Sequence, residues 1–168
     1  MKDSSRATTS AAKKKKPPKP KNRRHRTREL ILQGVYQWRT VGGTTEFIEA
    51  QLREADLFSK ADEKFFVKLL RGVLNDTATI EKDIQPFLDR PLKDLSPVEF
   101  SILLISGYEL VNFIETPYRA IINEAIELAR SYGGTDGYKY VNGVLDKLSI
   151  VSRASEIKSG PLQEDKTI

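Results

Sequence analysis

The chain has 168 residues, 39% of them hydrophobic and 30% charged, which suits one globular domain with tails and argues against a wholly disordered or fibrous chain. Cysteine is absent and histidine occurs once, at His25, so a disulfide framework, a Cys or Cys/His zinc site and a cysteine nucleophile are excluded. No apolar run approaches the ~20 residues of a membrane helix, and the N-terminus lacks the apolar centre of a signal peptide, so the expectation is a soluble, cytoplasmic protein without membrane contact.

The net charge of +5 is unevenly placed. Residues 1–28 hold 12 of the 28 Lys and Arg and 1 of the 23 Asp and Glu, a local charge of +11 that leaves −6 on the remainder. Residues 1–22, rich in Lys, Ser, Thr and Pro, have little to bury, and Pro17, Pro18 and Pro20 oppose helix propagation; a disordered basic arm is expected. Such a run attracts polyanions by releasing their condensed counterions, which makes nucleic acid the first candidate partner.

From Arg23 the pattern turns helical. Leu30, Ile31, Val35 and Trp38 predict a helix from about Arg24 to Arg39, stopped by Gly42-Gly43. A second helix follows Thr44 or Thr45, with Phe47, Ile48, Leu52 and Ala55 on its apolar side. Ser59 offers a cap for a third, whose stripe is Phe65, Phe66, Leu69, Leu70, Val73 and Leu74. Thr77 or Thr79 opens a fourth, broken near Pro86. Ser96-Pro97-Val98-Glu99 is the clearest start signal: a hydroxyl cap, a first-turn proline and a glutamate three residues on. The helix that follows, through Ile102-Leu103-Leu104-Ile105, is apolar on nearly every side and is expected to be central. Thr116-Pro117 repeats the cap for a sixth helix ending at Gly133-Gly134, and a seventh spans about Asp136–Leu148, with Tyr140 inward. The expected fold is all-α, about seven helices in two sub-bundles around the central one, over residues 23–149; residues 150–168 are expected to form a flexible tail.

The chemistry visible in this pattern is binding. Gly42-Gly43 and Gly133-Gly134 both follow helices and so stop them; neither opens a phosphate loop. No catalytic, metal or cofactor constellation emerges, and no cofactor is expected. Arg23, Arg24, His25, Arg26 and Arg28 crowd a helix start, where positive charge opposes the macrodipole unless an anion relieves it, and arginine suits phosphate through its planar fork. A second cluster, Tyr132 through Tyr140, supplies Tyr132, Tyr138 and Lys139 as candidates for stacking on unpaired bases and for holding the backbone.

Thr116-Pro117-Tyr118-Arg119, Asn123-Glu124-Ala125-Ile126-Glu127-Leu128-Ala129, and Tyr140-Val141-Asn142-Gly143-Val144-Leu145-Asp146 closely resemble the C-terminal half of the NusB family of bacterial transcription antitermination factors. The Arg24–Glu29 stretch, Tyr36-Gln37-Trp38 and Leu95-Ser96-Pro97-Val98-Glu99 resemble its N-terminal half, so the likeness covers about residues 23–149. The resemblance implies a non-enzymatic, all-helical factor that pairs with the ribosomal protein NusE. It further implies binding to boxA-type single-stranded RNA and a role in an RNA polymerase antitermination complex. It places Arg24, Arg26, Arg28 and Tyr132 at RNA, and Tyr36 and Glu99 at NusE. A homodimer of the free protein through the NusE face is compatible with this reading. Phe100 and Leu104 stand where the family usually has basic residues, and the Lys-rich arm is extra. Two other readings compete with it: the RNA-recruiting domain of a ribosomal RNA cytosine methyltransferase, and a generic polyanion binder driven by the arm.

Overall fold

Eight α-helices follow one another in the computed structural model, which describes residues 22–159: α1 (Arg23–Val41), α2 (Thr45–Arg53), α3 (Glu63–Asn75), α4 (Thr77–Ile84), α5 (Pro97–Asn112), α6 (Tyr118–Tyr132), α7 (Gly137–Ser152) and α8 (Ala154–Ser159). Short 3-10 turns at Asp56–Lys60, Gln85–Phe87 and Leu92–Asp94 join them, and no strand occurs among the described residues. The expected arm falls outside the described residues, save Asn22, whose side chain caps α1 by accepting from the His25 amide at 3.0 Å.

The central position of α5 follows from its sequence. Residues Phe100 to Gly107 are buried without interruption, and α1, α3, α4, α6 and α7 all pack against it. The N-terminal group, α1 to α3, and the C-terminal pair α6 and α7 thus share one core, as the all-apolar girth of α5 requires. Close approach is bought by a missing side chain at Gly34, where a β-carbon would fall 2.5 Å from Leu52 Cδ1 and push α2 away. The Gly42-Gly43 stop works as expected, because φ values of +87° and +123° favour glycine.

Several boundaries differ from the sequence reading for physical reasons. Asp62, not Ser59, caps α3, accepting from the Phe65 amide at 3.2 Å, because the chain first makes a 3-10 turn over Asp56–Lys60. Phe47 is 56% exposed, so the apolar side of α2 rests on Ile48 and Leu52. Ser96 caps α5 as expected, accepting from the Glu99 amide at 3.2 Å. Thr116 does not cap α6; the Tyr118 amide instead donates to Glu156 Oε1 of α8 at 3.0 Å.

The expected tail from residue 150 is corrected over its described part. α7 runs to Ser152 and α8 follows, because Arg153 is buried at 4% exposure and stitches the end of α5 to the start of α6. Its guanidinium donates to the carbonyls of Leu110 (2.7 Å), Phe113 (2.7 Å) and Thr116 (2.9 Å) and to Glu156 (2.6 Å). These bonds satisfy the Leu110 carbonyl at the end of α5 and two carbonyls of the turn that leads into α6.

Candidate RNA interface at the start of α1

α1 begins Arg23-Arg24-His25-Arg26 with no acidic residue in its first turn, so its positive end is loaded with further positive charge. The helical period divides these residues. Arg23 and Arg24 are exposed and Arg26 half-buried, whereas His25 and Arg28 turn inward. Arg28 is only 4% exposed and forks onto the buried Glu109 carboxylate, with Nε 3.0 Å from Oε2 and Nη2 2.7 Å from Oε1. Burial pushes the Glu109 carboxyl up, and the Arg28 hydrogen bonds and charge pull against it. Arg28 is therefore part of the core, and its assignment to the RNA surface is corrected. His25 is likewise enclosed, Nδ1 lying 2.5 Å from Glu124 Oε2 and Nε2 2.8 Å from Glu29 Oε1. Its trio with Glu124 and Glu127 brings three potential ligand atoms within 4.8 Å of one another, with Nδ1 and Glu124 Oε2 in hydrogen-bond contact.

Three guanidinium groups remain at the surface, those of Arg23, Arg24 and Arg26, and none pairs with a carboxylate of the described residues. They diverge. Arg24 leans toward α3, its Cζ 4.7 Å from the Phe65 ring centroid and its Nη1 donating to Thr116 Oγ1 at 3.4 Å. Arg26 lies on the other side, where its charge acts on the Tyr132 phenol. Tyr132 is 46% exposed, yet its hydroxyl is anchored, donating to Glu29 Oε2 at 2.7 Å. That hydrogen bond, with burial, pushes the phenol up to about 12. The ring is thus pinned at its tip while nearly half of the residue stays exposed.

Tyr132 and Tyr36 line one apolar cleft of about 210 Å³, together with Glu29, Leu32, Gln33 and Val98. The sequence reading placed the two tyrosines in different roles and missed Leu32, Gln33 and Val98. Glu29, Leu32, Gln33 and Tyr36 recur at helical spacing on α1, a signal available in the sequence but hidden by the stronger core stripe.

The remaining candidates are more dispersed. Tyr138 is half-buried beneath Arg130, whose Cζ stands 4.5 Å from the ring centroid, so the expectation of an exposed ring is corrected. Lys139 is exposed and lies 3.4 Å from Asp136. Glu99 faces a separate cleft of about 260 Å³ with Arg90, Thr135 and Tyr140, and Gly137 makes room for it. A β-carbon on Gly137 would meet the Glu99 carboxylate. Phe100 and Leu104 are fully buried, so these two positions belong to the core, and Arg39 of α1 places its guanidinium 3.6 Å from the Phe100 ring centroid.

The model of the NusB family matches residues 25–149. The chain belongs to the NusB family. Transcription antitermination protein NusB of Nitrosomonas eutropha is 59% identical over 143 residues, 85% of this chain and 86% of that protein. NusB of Nitrosospira multiformis is 61% identical over 130 residues, 77% and 82% of the respective chains. Among solved structures, T. maritima NusB superposes with a TM-score of 0.71 at 26% identity, over 82% of this chain and 99% of that one. NusB proteins are transcription antitermination factors rather than a class of enzymes, and this chain shares that function and the all-α fold. None of its described helices is long and apolar enough to cross a membrane.

Proposed function

We propose that this NusB-family chain acts in the cytoplasm as a non-catalytic binding factor that pairs with ribosomal protein NusE on boxA-type single-stranded RNA, within an RNA polymerase antitermination complex. The observation that carries the reading is the start of α1, where Arg23, Arg24 and Arg26 stand at a positive helix end without a carboxylate partner among the described residues. Phosphate is the anion that relieves such an arrangement. The anchored Tyr132 ring beside Arg26 supplies a face for a base. Lys139, exposed beyond the end of α6, extends this surface as a secondary contact by offering a cation. Tyr36 and Glu99, on two clefts flanking the start of α5, serve NusE. The basic segment 1–22 adds attraction that is independent of RNA sequence.

The test is reconstitution. Purified chain is mixed with NusE and titrated with boxA RNA and with a scrambled RNA of equal length. A stable complex that prefers boxA, and a preference that survives removal of residues 1–22, is the expected result. Equal affinity for both RNAs, lost with the arm, would reduce the chain to a polyanion binder.

A further inference from the structure

α1 lines two clefts, the apolar one along Glu29 to Tyr36 and another at its start, which the reading above does not use. The other, about 470 Å³, is walled by Arg24, Lys64 and Lys68 with Phe65, Phe113 and Thr116. Lys64 and Lys68 lie one turn apart on α3, both are exposed, and neither forms an ion pair with a described residue.

The cations here are positioned. Arg24 sits over the Phe65 ring and Lys68 over the Phe113 ring, with Nζ 4.5 Å from the centroid. The two rings pack edge to face, their centroids 5.6 Å apart, so one rigid aromatic pair carries both charges. Thr116 Oγ1 holds Arg24 from the far wall. Two carboxylates also line the cleft. Asp62 is committed to capping α3, and Glu115 is exposed. Arg24 belongs both to this wall and to the surface turn that carries Arg23 and Arg26, which makes the cleft continuous with the proposed RNA surface.

We infer that this cleft is a second phosphate-binding channel, in which Arg24, Lys64 and Lys68 hold the backbone of single-stranded RNA as it leaves the Tyr132 side of α1. The inference rests on the RNA-binding reading above and adds the strand's path to it. The channel reads no bases: the rings are covered by their cations, and the contacts go to phosphate. Its contribution is affinity that grows with RNA length and falls with salt.

The test compares Lys64→Gln/Lys68→Gln with the unmodified full chain on boxA-type RNAs of about six and about sixteen nucleotides. Both lysines are exposed, so circular dichroism and melting temperature should be unchanged. The expected result is unchanged binding of the short RNA, about tenfold weaker binding of the long one at low salt, and a salt slope for the long RNA lower by about 1.4, the release from two phosphates of a single strand. Long-RNA affinity and slope equal to those of the unmodified chain would overturn the channel while leaving the α1 surface standing. Loss of polyglutamate binding in the double variant with RNA binding intact would assign the cleft to an acidic peptide and also overturn it. Failure of the unmodified chain to bind either RNA would remove the RNA-binding reading and the channel together.

Discussion

Arg26 and Arg28 stand two residues apart on α1 and meet opposite surroundings. Arg28 pairs with a carboxylate 81 residues away in the last turn of α5, both side chains out of water. Removing one partner leaves a buried charge uncompensated, so Arg28→Ala or Glu109→Ala is expected to cost about 3–5 kcal/mol in urea unfolding. Replacing both by apolar residues of similar size should recover most of that loss. Arg23→Ala and Arg26→Ala, by contrast, should leave stability within about 0.5 kcal/mol and act only on RNA affinity. Gly137→Ala is a quieter probe: the new methyl group displaces the Glu99 carboxylate, a flexible side chain, so NusE binding should weaken while the melting temperature hardly moves.

Among the elements, the C-terminal helices depend on a residue that periodicity does not mark. Arg153 bonds carbonyls at the end of α5 and before α6, and Glu156 caps α6. Arg153→Ala is expected to destabilise the fold by about 3 kcal/mol, since charge-assisted bonds disappear and buried carbonyls lose their partners; chemical denaturation measures it. Between α2 and α3 the link is Glu49, held below the usual carboxylate range by its hydrogen bond to Arg71 and helped by the charges of Arg71 and Arg53. A lowered acid contributes stability above its unfolded value near 4.5 and loses it as pH falls through the folded one. Glu49→Gln should therefore melt earlier than the unmodified chain at neutral pH, and the gap should close in acid.

These cases show what a sequence displays. Ser96-Pro97-Val98-Glu99 and Gly42-Gly43 are local devices, complete within a few residues, and both mark the ends they appear to mark. The girth of α5 was legible for the same reason, since a helix apolar all round has only one place to go. The inward turn of Arg28 is not legible locally, because its burial depends on Glu109, 81 residues on, and nothing near Arg28 announces that partner. The α8 segment was missed because Arg153 binds backbone carbonyls, which leave no trace in side-chain pattern. Tyr138 was misjudged because Arg130, one α6 turn before the loop, covers it.

For the whole molecule, the acidic body and the basic end coexist because one arginine of that end, Arg28, is taken into the core and paired with Glu109. What is left outside, at Arg23, Arg24 and Arg26, is a surface that phosphate completes. The salt dependence of RNA binding tests it most directly. The unmodified chain and Arg23→Ala/Arg26→Ala are titrated with the same boxA-type RNA across a range of ionic strengths, with helicity followed in parallel. The account predicts a weaker complex and a slope of log K against log salt reduced by about 1.4, with helicity unchanged. An affinity and slope identical to those of the unmodified chain would contradict it.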